Sequence, residues 1–307
     1  MVSKKPLDIS SWEEVANITP FGTYSQFLKM KNGDIYLFYR HGAHRSNWVY
    51  QVSTDNGRTF SPLTSIVLSK KTEGTIENPI IWDSWYLSVN HGLGNDIVVA
   101  FNYHVCKGPD HDGERHKAYY MKFNTDTKEW MNVKGETLYL PITKEYADKM
   151  TLVKNTGENW THNGIATIDD QGMPYVSSYQ GEDDGSKHGG PKVIQHYYWD
   201  GAAWKGGSTG LPEGAKGIML AESKEKVSFL LSSKEGKNSE VAWWKYKENA
   251  QGFAKESLLL YKNQGPFSLS HTIRNAHPDA YIIASQKIKN RDNTYMYLVG
   301  KNGPLKR

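Results

Sequence analysis

Two groups of residues in this chain have types and spacings that suit chemistry. The first pairs Tyr24, in the stretch Thr23-Tyr24-Ser25-Gln26, with Arg40, which closes Leu37-Phe38-Tyr39-Arg40. A guanidinium fits a carboxylate through two parallel hydrogen bonds, and a cation beside a phenol favours the phenolate. Together they supply what removal of a proton alpha to a uronate carboxylate needs: a base, and positive charge over the developing enolate. The same phenol can then return a proton to a leaving glycosidic oxygen. His41, His44 and Arg45 follow directly and add positive or hydrogen-bonding groups. Further along, His162 and Asn163 precede another strand in the same way, His196 lies within Gln195-His196-Tyr197, and His271 and Arg274 open the last repeat. His41, His44, Arg45, His162, Asn163 and His196 are read as substrate-binding candidates beside Tyr24 and Arg40.

The second group is His104, Cys106, His111 and His116. His104 and Cys106 are two apart near the end of a strand, so their side chains leave on one face. The loop over 107–115 lets His116 return beside them. Three nitrogen and sulfur ligands, completed by His111 or by Asp110 or Asp112, predict a tetrahedral structural zinc site. Zinc would pin a polar loop that has little to bury. The alternative is a surface loop with chance histidines around a buried cysteine.

The elements that must position these groups come from a two-strand phrase that recurs along the chain. Its first copy is Asn32–Tyr39 followed by Asn47–Ser53, and later copies follow at intervals of roughly 50 to 75 residues, the period of propeller blades. The fold class is all-β, a β-propeller in one domain over residues 1–307. Its blades are expected at about 20–72, 73–142, 151–212, 213–262 and 263–300. Five blades leave open a ring of five or part of a larger one; Ile9–Val15 is a candidate closing strand. Helix is expected only over Thr143–Met150 and, for one turn, over Trp12–Val15. The polar, glycine-rich stretch Gly181–Gly190 reads as a lid or rim loop. Ser53-Thr54-Asp55-Asn56-Gly57-Arg58-Thr59-Phe60 resembles the Asp-box turn of sialidase-like propellers, with weaker versions at Asn124–Trp130 and Asp200–Trp204. Such a box stabilises a hairpin and does not mark a reaction.

Composition narrows the partners. The formal charge is +4, with 37 basic and 33 acidic residues scattered along the chain, so the basic stripe of a nucleic-acid binder is missing while a polyanion other than nucleic acid remains compatible. No apolar run is long enough for a membrane helix. The opening MVSKKPLDIS lacks the apolar core of a signal peptide. A single cysteine excludes an internal disulfide framework and leaves the compartment open.

The phrases Thr23–Phe27, Tyr39-Arg40-His41-Gly42, His104–His116 and Asn155-Thr156-Gly157 with Asn163-Gly164 resemble those of BNR-repeat-containing β-propeller proteins that include the ulvan lyases. The resemblance implies a polysaccharide lyase acting on a sulfated, uronate-containing glycan, with Tyr24 as base and acid and Arg40 on the uronate carboxylate. It also implies zinc held by His104, Cys106 and His116, and a secreted or periplasmic full-length protein. Lyases of this kind look like seven-bladed rings with catalytic histidines ahead of the tyrosine. Here almost nothing precedes Tyr24, which fits a chain truncated at its N-terminus. Two other functions compete: a non-catalytic glycan-binding propeller, and a sialidase-like hydrolase, for which no carboxylate pair or nucleophile set is found.

Overall fold

Aromatic and β-branched residues alternating with polar ones make most of this chain strand, and the computed structural model bears that out. It describes residues 1–307 except 6, 7, 9, 16, 17, 19–21, 78, 109–112, 163, 249–251, 264, 271–279, 288–293, 301, 306 and 307. A short pair, β1 (Val2–Ser3) and β2 (Trp12–Glu13), comes first. The first blade is the meander β3 (Thr23–Lys29), β4 (Ile35–Arg40), β5 (Trp48–Ser53) and β6 (Thr64–Val67). The second runs β7 (Lys70–Thr72), β8 (Ile81–His91), β9 (Asp96–Lys107), β10 (Arg115–Asn124) and β11 (Glu129–Met131). After helix α1 (Lys144–Met150), β12 (Leu152–Lys154) returns to pair with β10.

The third blade is entered through β13 (Trp160–His162) and β14 (Ala166–Ile168) and continues as β15 (Pro174–Gly181), β16 (Val193–Trp199) and β17 (Trp204–Ser208). The fourth is β18 (Lys216–Ser223), β19 (Lys226–Glu235), β20 (Asn238–Lys247) and β21 (Gly252–Lys262). The fifth is β22 (Phe267–Leu269), β23 (Ile282–Lys287), β24 (Thr294–Gly300) and β25 (Gly303–Pro304). The fold is all-β, a β-propeller of five blades, as the repeat predicts. The chain divides into two compact units, Met1–Ala166 with Ser186–His188, and Thr167–Gly185 with Gly189–Arg307.

Two blade limits differ from the expected ones. Lys70–Thr72 pairs with β8 and so opens the second blade, and Leu152–Lys154 closes on β10 instead of opening the third. The single helical turn expected over Trp12–Val15 is not formed: Trp12 and Glu13 pair antiparallel with Ser3 and Val2. Ile9 lies outside the described residues. The helix over Lys144–Met150 forms as expected, with the Thr143 hydroxyl accepting the Tyr146 N–H at its N-terminus. Among the described residues no helix is long and apolar enough to cross a membrane.

The core of the first unit lies between its two blades. Tyr36 and Phe38 from β4, Trp48 from β5, Trp85 from β8 and Phe101, Tyr119 and Phe123 from β9 and β10 are all essentially inaccessible. Phe123 stacks on Trp130 at 4.8 Å between centroids and meets Tyr50 at 5.4 Å. The indoles are not left as orphaned donors: Trp48 Nε1 donates to the Trp85 carbonyl, and Trp85 Nε1 to that of Leu68, each at 2.8 Å.

The Asp-box turn has the expected construction. Asp55 Oδ1 accepts from the N–H groups of Arg58 and Thr59, and Oδ2 from the Thr59 hydroxyl, while Asn56 and Gly57 take positive φ. Those hydrogen bonds, led by the Thr59 hydroxyl, hold the Asp55 carboxyl well below the usual carboxylate range. Asn124 and Asp200 cap the corresponding later turns in the same way, each accepting two backbone N–H groups.

Candidate active site

Arg40 ends the row of alternate β4 residues Tyr36, Phe38 and Arg40, so an apolar blade face ends in a guanidinium. Its register partner on β3 is Thr23. The next register pair is Gln26 with Phe38, so Tyr24 and Ser25 together oppose a single β4 residue. This is a bulge, a device that re-aims a side chain at the cost of regular pairing. Tyr24 takes φ +59°, the left-handed region that a tyrosine adopts only under constraint from its surroundings. Gln26 supplies part of that constraint. Its side-chain amide bonds the Leu87 carbonyl at 2.9 Å and the Val89 N–H at 3.0 Å, tying β3 to β8.

The Tyr24 ring is 53% exposed and lies at the centre of an aromatic and cationic group. The Arg40 guanidinium sits over it, 4.8 Å from the centroid, and 5.5 Å from the centroid of Tyr86. Tyr86 meets Tyr24 edge-on at 5.8 Å, and Trp48 is at 6.1 Å. Arg40 is only 4% exposed. Its Nε donates to the Thr23 hydroxyl, which in turn donates to the Gly42 carbonyl. Its Nη1 is buried without a hydrogen-bond partner among the described residues.

A second arginine stands on the far side of Tyr86. Along β8, Ser84, Tyr86, Ser88 and Asn90 share one face, and register places Asn102, His104 and Arg115 on that same face. The opposite face carries the core residues Trp85, Leu87 and Val89. The Arg115 guanidinium lies 5.4 Å from the Tyr86 centroid, with His104 tilted against the same ring at 5.8 Å. Arg115 Nη1 is 3.4 Å from the Gly113 carbonyl and 3.3 Å from His188 Nδ1. Arginine can only donate, so His188 Nδ1 is the acceptor there and its proton sits on Nε2. The His188 ring is also 6.4 Å from that of His162. Neither Arg40 nor Arg115 has a carboxylate partner among the described residues.

Of the remaining candidates, His44 is half-buried near Arg40 and Arg45. Burial first, then those two cations, lowers its pKa, so the imidazole is neutral at neutral pH. Its carbonyl accepts the Ser84 hydroxyl. Arg45 buries Nε and Nη2 without hydrogen-bond partners among the described residues. His41 is exposed, against Tyr39 at 6.2 Å. His162 joins the group through His188. His196 does not; it belongs to the second unit and lines a pocket there. Asn163, His271 and Arg274 lie outside the described residues. Tyr86, Arg115 and His188 were not anticipated. The signal for the first two was polar residues on alternate positions of strands otherwise rich in core aromatics; His188 carried none beyond its glycine-rich loop.

The expected zinc ligands are only partly brought together. His104 and Cys106 are fully buried and share a face of β9. His116 pairs with Tyr103, one position out of phase with His104, so it projects from the other face. There its Nε2 meets Glu114 Oε2 at 3.0 Å. Asp110, His111 and Asp112 lie outside the described residues. Among the described residues no three His, Cys, Asp or Glu side chains are arranged to hold a metal ion.

The profile described as "BNR repeat-containing family member" matches residues 1–209. The chain belongs to the BNR repeat-containing family. It is 45% identical over its whole length to an ulvan lyase of Alteromonas sp. (strain LOR), and 46% identical to an ulvan lyase of Nonlabens ulvanivorans. It spans 64% and 66% of the lengths of those two proteins. A solved structure described as a PL25 ulvan lyase, from a new family of polysaccharide lyases, superposes with a TM-score of 0.91 at 42% identity, covering 98% of this chain and 70% of that one. A second structure of that description, bound to -[GlcA(1-4)Rha3S]-, superposes at 0.90. This BNR-repeat chain therefore shares fold and much of its sequence with those lyases over the region that holds Tyr24 and Arg40.

Proposed function

We propose that this chain carries the tyrosine–arginine centre of a polysaccharide lyase that cleaves an acidic, uronate-containing glycan of the ulvan type by β-elimination. The observation that carries this reading is Arg40. It is a buried guanidinium with Nη1 unbonded and no carboxylate partner among the described residues, held against an exposed tyrosine in a strained backbone conformation. Burying an unpaired charge costs several kcal/mol, and a substrate carboxylate would offset that cost. Both relatives above are named ulvan lyases, and the glycan in the solved complex contains glucuronate and a sulfated rhamnose, which supports the same substrate class.

In this reading Arg40 takes the uronate carboxylate and spreads the charge that develops on it. Tyr24, as phenolate, removes the proton alpha to the carboxylate. The electron pair moves in to form the carbon–carbon double bond, and the bond to the glycosidic oxygen breaks. Tyr24 then delivers the same proton to that oxygen and returns to the phenolate, so the cycle balances. Tyr86, half-buried, offers flat apolar surface beside the reacting ring, and Arg115 holds Tyr86 in place.

The test is ultraviolet detection of the unsaturated uronate when the purified chain is incubated with ulvan. Tyr24→Phe should abolish its appearance while leaving glycan binding and the melting temperature close to the parent. Undiminished turnover in that variant removes Tyr24 from the mechanism.

A further inference from the structure

His196 lies mid-strand on β16, opposite Gly207 of β17, with Gly206 beside it. These glycines shape the sheet surface differently. A Cβ on Gly206 would sit 2.2 Å from the His196 carbonyl, so close pairing forbids one; a Cβ on Gly207 would meet nothing within 4 Å and would project into open space. That space is a cavity of about 330 Å³, near the lower end of the range for small-molecule sites.

The cavity is built like a ligand site. Tyr175 stacks on the His196 imidazole at 5.8 Å and 14°, Tyr198 lies at 6.1 Å, and Phe253 meets it edge-on at 5.6 Å. Tyr246 packs against Phe253 from the mouth. Lys224 is exposed at the rim, with Nζ 5.0 Å from the Tyr198 centroid. Within this aromatic surround His196 Nε2 is buried and has no hydrogen-bond partner among the described residues. An unmet polar atom of that kind costs about 1–3 kcal/mol and calls for an explanation in a ligand or a role.

We propose that this pocket is a second saccharide-binding site, taking one sugar ring that bears an anionic substituent. The faces of Tyr198, Phe253 and Tyr246 supply the flat apolar surface that sugar C–H groups pack on. His196 Nε2 meets a ring hydroxyl, and Lys224 at the rim meets the carboxylate or sulfate. The site belongs to the second unit and contains none of the residues grouped around Tyr24. Its function is retention of the glycan, with no bond made or broken.

Isothermal titration of the full chain with sodium glucuronate tests this, with glucose as the neutral control. It is run in an Arg40→Ala background so that carboxylate binding beside Tyr24 does not contribute. Glucuronate should bind and glucose should bind more weakly. Lys224→Ala should weaken glucuronate by about ten-fold, and Lys224→Glu, which places a like charge at the exposed rim, should abolish it. Both variants should keep the melting temperature of their parent. Absence of binding in the parent overturns the proposal, as does binding that neither substitution alters. The readout is a binding isotherm, so the result is independent of whether elimination occurs at Tyr24.

Discussion

At the scale of single residues, the backbone of Tyr24 is the informative observation. A left-handed conformation costs an L-residue with a side chain roughly 1–2 kcal/mol, and glycine escapes that cost. Elsewhere in a strand, glycine is the less stable choice relative to alanine. At position 24 the order should invert: Tyr24→Gly should be more stable than Tyr24→Ala by about 1 kcal/mol in denaturant unfolding. The normal order would mean that the bulge does not hold φ near +59° in solution. Cys106 supports a second test. If zinc draws on His104 and Cys106, Cys106→Ser should lower both bound zinc and the melting temperature; full zinc content in the variant would remove the cysteine from the site.

At the scale of elements, Gln26 acts as a side-chain extension of the sheet. Its amide satisfies the Leu87 carbonyl and the Val89 N–H as a neighbouring strand would. Gln26→Ala leaves both groups without that partner, so a loss of about 2 kcal/mol or more is expected, read by denaturant unfolding. Turnover should fall as well, because the same contact sets β3, and with it Tyr24, against Tyr86 on β8. Loss of stability with unchanged turnover would show that Tyr24 is positioned by other contacts. Much of this level was legible in advance. The recurring phrase located β4 and β5, and the stretch Thr143–Met150 was legible as helix. The bulge was not legible, because β3 makes two kinds of contact at once, its pairing with β4 and the Gln26 side-chain bonds to β8.

At the scale of the whole molecule, one buried and one half-buried histidine make stability depend on pH. Burial pushes the His196 imidazole down to about 4, against about 6.5 for an exposed histidine, and His44 is shifted in the same direction. Between those values the unfolded chain takes up a proton that the folded chain refuses, so stability falls as the pH is lowered from about 6.5 toward about 4. The melting temperature should decline through that window, and His196→Gln should flatten the decline. An unchanged slope in the variant would assign the effect to other groups. The +4 formal charge is spread thinly, and the buried arginines beside Tyr86 say more about an anionic partner than the net figure does.

The sequence by itself determined the strand content, the repeat, the Asp-box turn and the tyrosine–arginine pair, because each depends on residues close together or on a period of two. Tertiary structure decided the rest. It brought Tyr86, Arg115 and His188, which are far from Tyr24 in the chain, to the site through the register of β8, β9 and β10 and the return of the 182–190 loop. It set His116 on the face away from His104 and Cys106, since one residue of register moves a side chain through the sheet. It also enclosed His196 in a pocket of its own, because aromatic residues from β15, β16 and β21 surround it there.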